Sequence, residues 1–173
     1  MYHSGDLIIY GNNGVCRVEK ISKPNLPGTD RDAEYYTLKP LFQDSTIYTP
    51  VKNKVFMRPV ITRKEAEQLI DSIPQMQTES FYSQSTQQLS EHYQTFLQSH
   101  DCADLVQLAM SIYSKKQHVL QCRHKFGQVD ERYMKKAEEL LYGELSVALD
   151  MPRDQVASYI ASRIGPASDQ SAN

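Results

Sequence analysis

The 173-residue chain contains no Trp at all and only three Cys, at positions 16, 102 and 122. Three thiols without a Cys-x-x-Cys spacing cannot build a paired disulfide framework, which points to reduced thiols in a cytosol. No apolar run approaches the roughly 20 residues needed to cross a bilayer, and Met1–Tyr10 lacks the basic start and apolar centre of a signal peptide. A cytoplasmic protein without a membrane partner is therefore expected. Cations are also missing from one long stretch: no Lys or Arg occurs from Glu65 to Ser114. Binding a phosphate backbone depends on cations, so this stretch offers little to nucleic acid. Nor is there a Gly-x-Ser-x-Gly, a phosphate loop or a His in a triad context. No enzymatic activity, cofactor or small-molecule substrate is expected.

What remains is ordinary for a globular protein: 40% hydrophobic, 23% charged, with Tyr abundant at 11. The net charge of −2 is unevenly spread. Residues 1–75 carry ten Lys/Arg against nine Asp/Glu, and residues 76–173 carry nine against twelve.

Around Asn12-Asn13-Gly14, apolar and polar residues alternate, with Leu7 and Ile9 before and Val15, Val18 and Ile21 after. This predicts two strands joined by a tight turn. A Pro/Gly/Asp-rich loop follows at 22–32, then strands over 34–42, with Tyr36 and Leu38 alternating, and 45–51. Pro50 lacks a backbone donor, so the last of these belongs at a sheet edge or ends there. Beyond this point the period becomes helical. Thr62 and Glu65 form a capping-box pattern ahead of Ala66, Leu69, Ile70 and Ile73. Helices are then predicted over roughly 80–98 (Phe81, Leu89, Tyr93, Phe96, Leu97), from about Asp101 (Leu105, Leu108, Ile112, Val119–Leu120), from an Asp130 cap (Met134, Ala137, Leu141, Leu145, Ala148), and from Asp150 to a Gly165 C-cap.

The predicted fold class is α+β: a small twisted β-sheet or partly open, Tudor-like barrel, followed by an all-α domain of about four helices. The predicted organisation is a β-rich domain over 1–73 that ends in a short helix, a linker over 74–80, a helical domain over 81–165 and a disordered tail over 166–173.

His100, Cys102, His118, Cys122 and His124 cluster in sequence, and His118 and Cys122 fall on one helical face. The Cys-x₂₋₄-Cys spacing of structural zinc is absent, so a buried thiol among surface imidazoles is favoured and no metal site is expected.

The order of motifs resembles the CarD/CdnL family of bacterial transcription regulators. The resemblance rests on Gly5-Asp6-Leu7-Ile8-Ile9-Tyr10, Asn13-Gly14-Val15, Tyr35-Tyr36-x-Leu38 and Ile47-x-Thr49-Pro50-Val51. In the helical half it rests on "SHDCADLV" (99–106), "DERYMKKAEELLYGELSVAL" (130–149) and "MPRDQVASYI" (151–160). The N-terminal motifs are also similar to the polymerase-interacting module of transcription-repair coupling factors. The resemblance implies that the β-module docks on the β subunit of RNA polymerase, through Ile47, Tyr48, Thr49 and Lys23. It also implies that the helical domain contacts promoter DNA beside the melting site and modulates open-complex formation. An edge strand suits such docking, since main-chain hydrogen bonds give affinity and alternate side chains give register.

One departure matters. Family members carry a Trp wedge at the start of the helical domain, followed by basic residues. Here Phe81 and Tyr82 fall nearest that position, and "SQSTQQLSEHYQ" after them holds no cation. The remaining candidate DNA contacts are Lys115, Lys116, Arg123 and Lys125. Lys115, Lys116 and Arg123 fall within a 100° arc of an ideal helix, predicting a basic stripe. Three or four phosphate contacts bind weakly, so the DNA contact is expected only when polymerase holds this face in place. The alternative reading is a polymerase-binding adaptor that never touches DNA.

Overall fold

The computed structural model describes residues 1–24 and 26–171, with side chains as far as Gly165. It falls into two compact units, Met1–Ile61 and Thr62–Asn173.

The first unit is an open, antiparallel five-stranded sheet in the order β4-β3-β2-β1-β5. Its strands are β1 (Leu7–Tyr10), β2 (Val15–Ser22), β3 (Tyr35–Pro40), β4 (Ile47–Pro50) and β5 (Met57–Pro59). The β1–β2 connection is a 3₁₀ turn over Gly11–Asn13, closed by Gly14 at φ +76°, a conformation only glycine adopts without strain. One face of the sheet buries Ile8, Tyr10, Cys16, Val18, Tyr36 and Leu38. Leu7 and Ile9 alternate onto the opposite face, as the period of two requires. Burial pushes the Cys16 thiol up to about 11, which leaves it an inert core residue. Pro50 ends edge strand β4, as its missing donor demands.

The second unit is wholly helical: α1 (Arg63–Ser72), α2 (Thr86–Gln98), α3 (Cys102–Gln121), α4 (Gln128–Leu149) and α5 (Arg153–Ser171). The predicted capping box opens α1, with the Glu65 amide donating to Thr62 Oγ1 at 3.1 Å and the Thr62 amide to Glu65 Oε1 at 3.2 Å. Asp101 caps α3 through the Ala103 amide at 2.9 Å. Leu89, Tyr93, Leu97, Leu105, Leu108, Ile112, Ala137, Leu141 and Leu145 form the core, on the faces the helical period assigned them.

Several expectations are corrected. First, α1 does not close the β-rich domain. It packs against α4 and α5 in the helical unit, because its buried Ala66 and Ile70 face those helices and Asp71 pairs bidentately with Arg163 (2.6 and 2.9 Å). Second, α2 starts at Thr86 rather than near residue 80. Ser85 supplies the cap through the Gln88 amide at 3.3 Å, and residues 80–85 form a non-helical lead-in. Third, Asp130 is not a cap. Gly127 occupies the N-cap of α4, while Asp130 lies three residues inside and is buried. Fourth, Leu120 is 51% exposed at the end of α3, so its stripe leaves the core one turn early. At the other end, Gly165 keeps helical dihedrals and α5 continues past it to Ser171. Residues 172 and 173 of the expected tail lie outside the described residues.

Candidate functional site

The docking residues proposed from sequence divide by burial. On β4, Ile47 is half-buried against the sheet core and Thr49 is buried, accepting a hydrogen bond from Tyr10 Oη at 3.1 Å. Tyr48, between them, is 47% exposed on the opposite face. Lys23 is exposed just beyond the end of β2. Thr49 therefore holds β4 to the core, and only Tyr48 and Lys23 offer full side chains to a partner. No strand lies beyond β4 among the described residues, so its outer backbone edge can accept one.

The candidate DNA residues are rearranged more strongly. Lys115 does not belong to a basic stripe. It is buried, with Nζ 3.0 Å from Asp130 Oδ1, and the same oxygen accepts the Tyr93 hydroxyl proton. Burial and this carboxylate hold the Tyr93 phenol well above its usual range. The sequence signal that could have found the pair is Asp130 placed one turn inside a helix, where a Gly already starts it. Lys116 remains at the surface, half-buried, its Nζ 5.4 Å from the centre of the Phe126 ring. Arg123 and Lys125 are exposed in the α3–α4 turn, where Arg123 takes a left-handed φ of +57°. The available cations thus form a basic turn rather than a helical stripe.

The two aromatic residues also separate. Phe81 is half-buried and stacks on His92, with ring centres 4.0 Å apart and planes 14° from parallel. Burial holds His92 below the usual imidazole range, which keeps that stack neutral. Tyr82 is 53% exposed, lies over Lys115 Nζ at 5.0 Å and sets its edge to His118 at 6.2 Å. Ser80 fastens the segment by donating to the Ser111 carbonyl at 2.8 Å. Tyr82, not Phe81, is the aromatic presented to solvent, on the same end of α3 as the basic turn.

Among the potential metal ligands, His118 Nε2 and Cys122 Sγ approach to 3.9 Å, but Cys102 is buried and donates to Glu144 Oε1 at 2.9 Å. Among the described residues no three His, Cys, Asp or Glu side chains converge on one point, and no helix is long and apolar enough to cross a membrane.

Comparison with known proteins locates the likeness in the β-unit. The family described as the CarD-like/TRCF RID domain matches residues 2–61, which is almost the whole of that unit. No curated protein matches the chain. The match spans all five strands and stops where the helical unit begins. Residues 2–61 are therefore a CarD-like/TRCF RID-type module, a polymerase-interacting domain of the CarD type.

Proposed function

We propose that the chain is a transcription regulator that docks on the RNA polymerase β subunit through β4 and modulates promoter opening through its helical unit. The observation that carries the first half is the family match over a sheet whose β4 edge is open. A strand from the polymerase lobe adds to β4 through main-chain hydrogen bonds, and Tyr48 and Lys23 set its register. In the second half, Tyr82 and the basic turn of Lys116, Arg123 and Lys125 meet the distorted duplex. Few cations are involved, so polymerase must hold this surface at high local concentration. Opening is favoured only as far as these groups bind the melted form better than the straight one.

The docking half is tested by pull-down of the β subunit. Tyr48→Asp sets a charge beside the edge and is expected to weaken binding about tenfold or more. Its melting temperature stays near that of the parent, because Tyr48 is not core. Parallel loss of binding and stability contradicts this assignment.

The DNA half is tested by open-complex lifetime at several salt concentrations. Changing Lys116, Arg123 and Lys125 together to Glu leaves polymerase binding intact, shortens the lifetime and lowers the salt slope by about 2 to 3. The burial of Lys115 and the cation-free stretch 65–114 favour the second reading, a polymerase-binding adaptor without DNA contact. That reading stands if the triple variant matches the parent while still bound.

A further inference from the structure

The sheet has a second face, of which docking at the β4 edge uses Tyr48 alone. Cys16 and Val18 point into the core, so Arg17 between them points outward, and Lys39 does the same after Leu38. The β2–β3 register sets Arg17 directly opposite Lys39. Like charges in directly opposed positions destabilise a sheet. Both are exposed, and among the described residues neither has an ion-pair partner. The next row repeats the theme. A bulge between Val18 and Lys20 takes up Glu19 as an extra residue and rotates Lys20, which uninterrupted alternation would point into the core, onto the outer face opposite Thr37. Thr37, itself buried beneath its neighbours in this row, in turn opposes the exposed Tyr48. No carboxylate occupies a paired outward position of β1 to β4, Glu19 in the bulge being the nearest by sequence. Met1–Ile61 as a whole carries eight Lys/Arg against six Asp/Glu, in a chain that is net acidic.

We propose that this outer face, built from Arg17, Lys20, Lys39 and Tyr48, binds single-stranded nucleic acid. Neighbouring strands lie about 4.8 Å apart and successive outward rows about 7 Å apart, so the three cations form a compact patch that meets neighbouring phosphates of one strand. Tyr48 rises beside them, and its ring offers a stacking surface that unpaired bases can use and that paired bases or carboxylates cannot. The like-charged Arg17–Lys39 pair, unfavourable in the free sheet, is relieved by the bound phosphate. Tyr48 is shared with polymerase docking, whereas Arg17, Lys20 and Lys39 lie on β2 and β3, away from the main-chain edge of β4 that strand addition uses.

The test is fluorescence anisotropy of the full chain with a labelled oligothymidine of about 12 nucleotides, within the site size of small sheet-face binders. Changing Arg17, Lys20 and Lys39 together to Gln is expected to weaken binding at least about tenfold and to lower the salt slope by about 2, at roughly 0.7 per cation. Tyr48→Ala weakens it roughly five- to a hundredfold with the slope unchanged, because it removes stacking and no charge. Arg17→Gln alone melts no lower than the parent, which separates lost binding from lost folding. Changing Lys116, Arg123 and Lys125 together to Gln weakens oligothymidine binding by less than the sheet variant does, because without polymerase the basic turn holds DNA only weakly. The proposal is overturned if the parent fails to bind at low salt, or if the triple sheet variant keeps the parent's affinity and slope. It is equally overturned if duplex DNA of the same length or a polyglutamate peptide competes as well as the single strand.

Discussion

Replacing Lys115 by Met is expected to destabilise the helical unit by about 3–5 kcal/mol, the usual consequence of leaving one member of a buried ion pair without its partner. The Asp130 carboxylate loses the Lys115 ammonium, at 3.0 Å, and stays buried with the Tyr93 hydroxyl as a neutral donor. A Cβ on Gly127 would lie 3.2 Å from Asp130 Oδ2, so the carboxylate sits against the glycine that opens α4. Urea unfolding followed by helix signal measures the loss. Removing the whole group, with Lys115→Met, Asp130→Leu and Tyr93→Phe together, is expected to recover most of it, because no charge or polar group is then left buried alone. A single Lys115→Met variant as stable as the parent contradicts the buried pair and returns Lys115 to the surface stripe read from sequence. The result also bears on function. If Lys115 is structural, any loss of open-complex lifetime on its mutation reflects unfolding, and only Lys116, Arg123 and Lys125 report on DNA.

The different fates of these lysines show what was legible in the sequence. Strands β1 to β4, the capping box at Thr62 and the core positions of α3 and α4 short of Leu120 follow from periodicity and local chemistry, which act within a few residues. They appear where the pattern puts them. Lys115 could not be placed that way. Helical spacing groups it with Lys116 and Arg123, but Asp130 lies 15 residues away across a turn, and that pairing is a tertiary event. The same limit explains Phe81. Its apolar character suits a helix face, yet Ser85 caps α2 four residues later and leaves Phe81 to stack on His92 from outside the helix. The β2 bulge is equally invisible to a strict alternation rule, although it decides that Lys20 faces outward. The edge position of β4 was readable because Pro50 carries a local signal, a missing donor, that bears directly on sheet position.

The assignment of α1 leads to the second large effect. Ile70→Ala is expected to lower the stability of the helical unit by about 2–5 kcal/mol, the range for truncating a fully buried aliphatic side chain. Ile70 has no exposed surface, and α1 packs against α4 and α5. The Asp71–Arg163 pair joins the same helices, and Arg163 holds the Asp71 carboxyl below its usual range, but both groups are solvated and this pair contributes little. The loss should therefore come from the apolar side of α1. Binding of the polymerase β subunit is expected to stay at the parent level, since the residues of the RID-type module end before Thr62. Two measurements on one variant thus locate the boundary: helical unfolding in urea and pull-down of the β subunit. If Ile70→Ala lowers polymerase binding while the helical transition is unmoved, α1 works as part of the β-module and the division belongs near Pro74. If only the helical transition moves, a fragment of residues 1–61 is the smallest polymerase-binding unit, and α1 is the first helix of the unit that follows it.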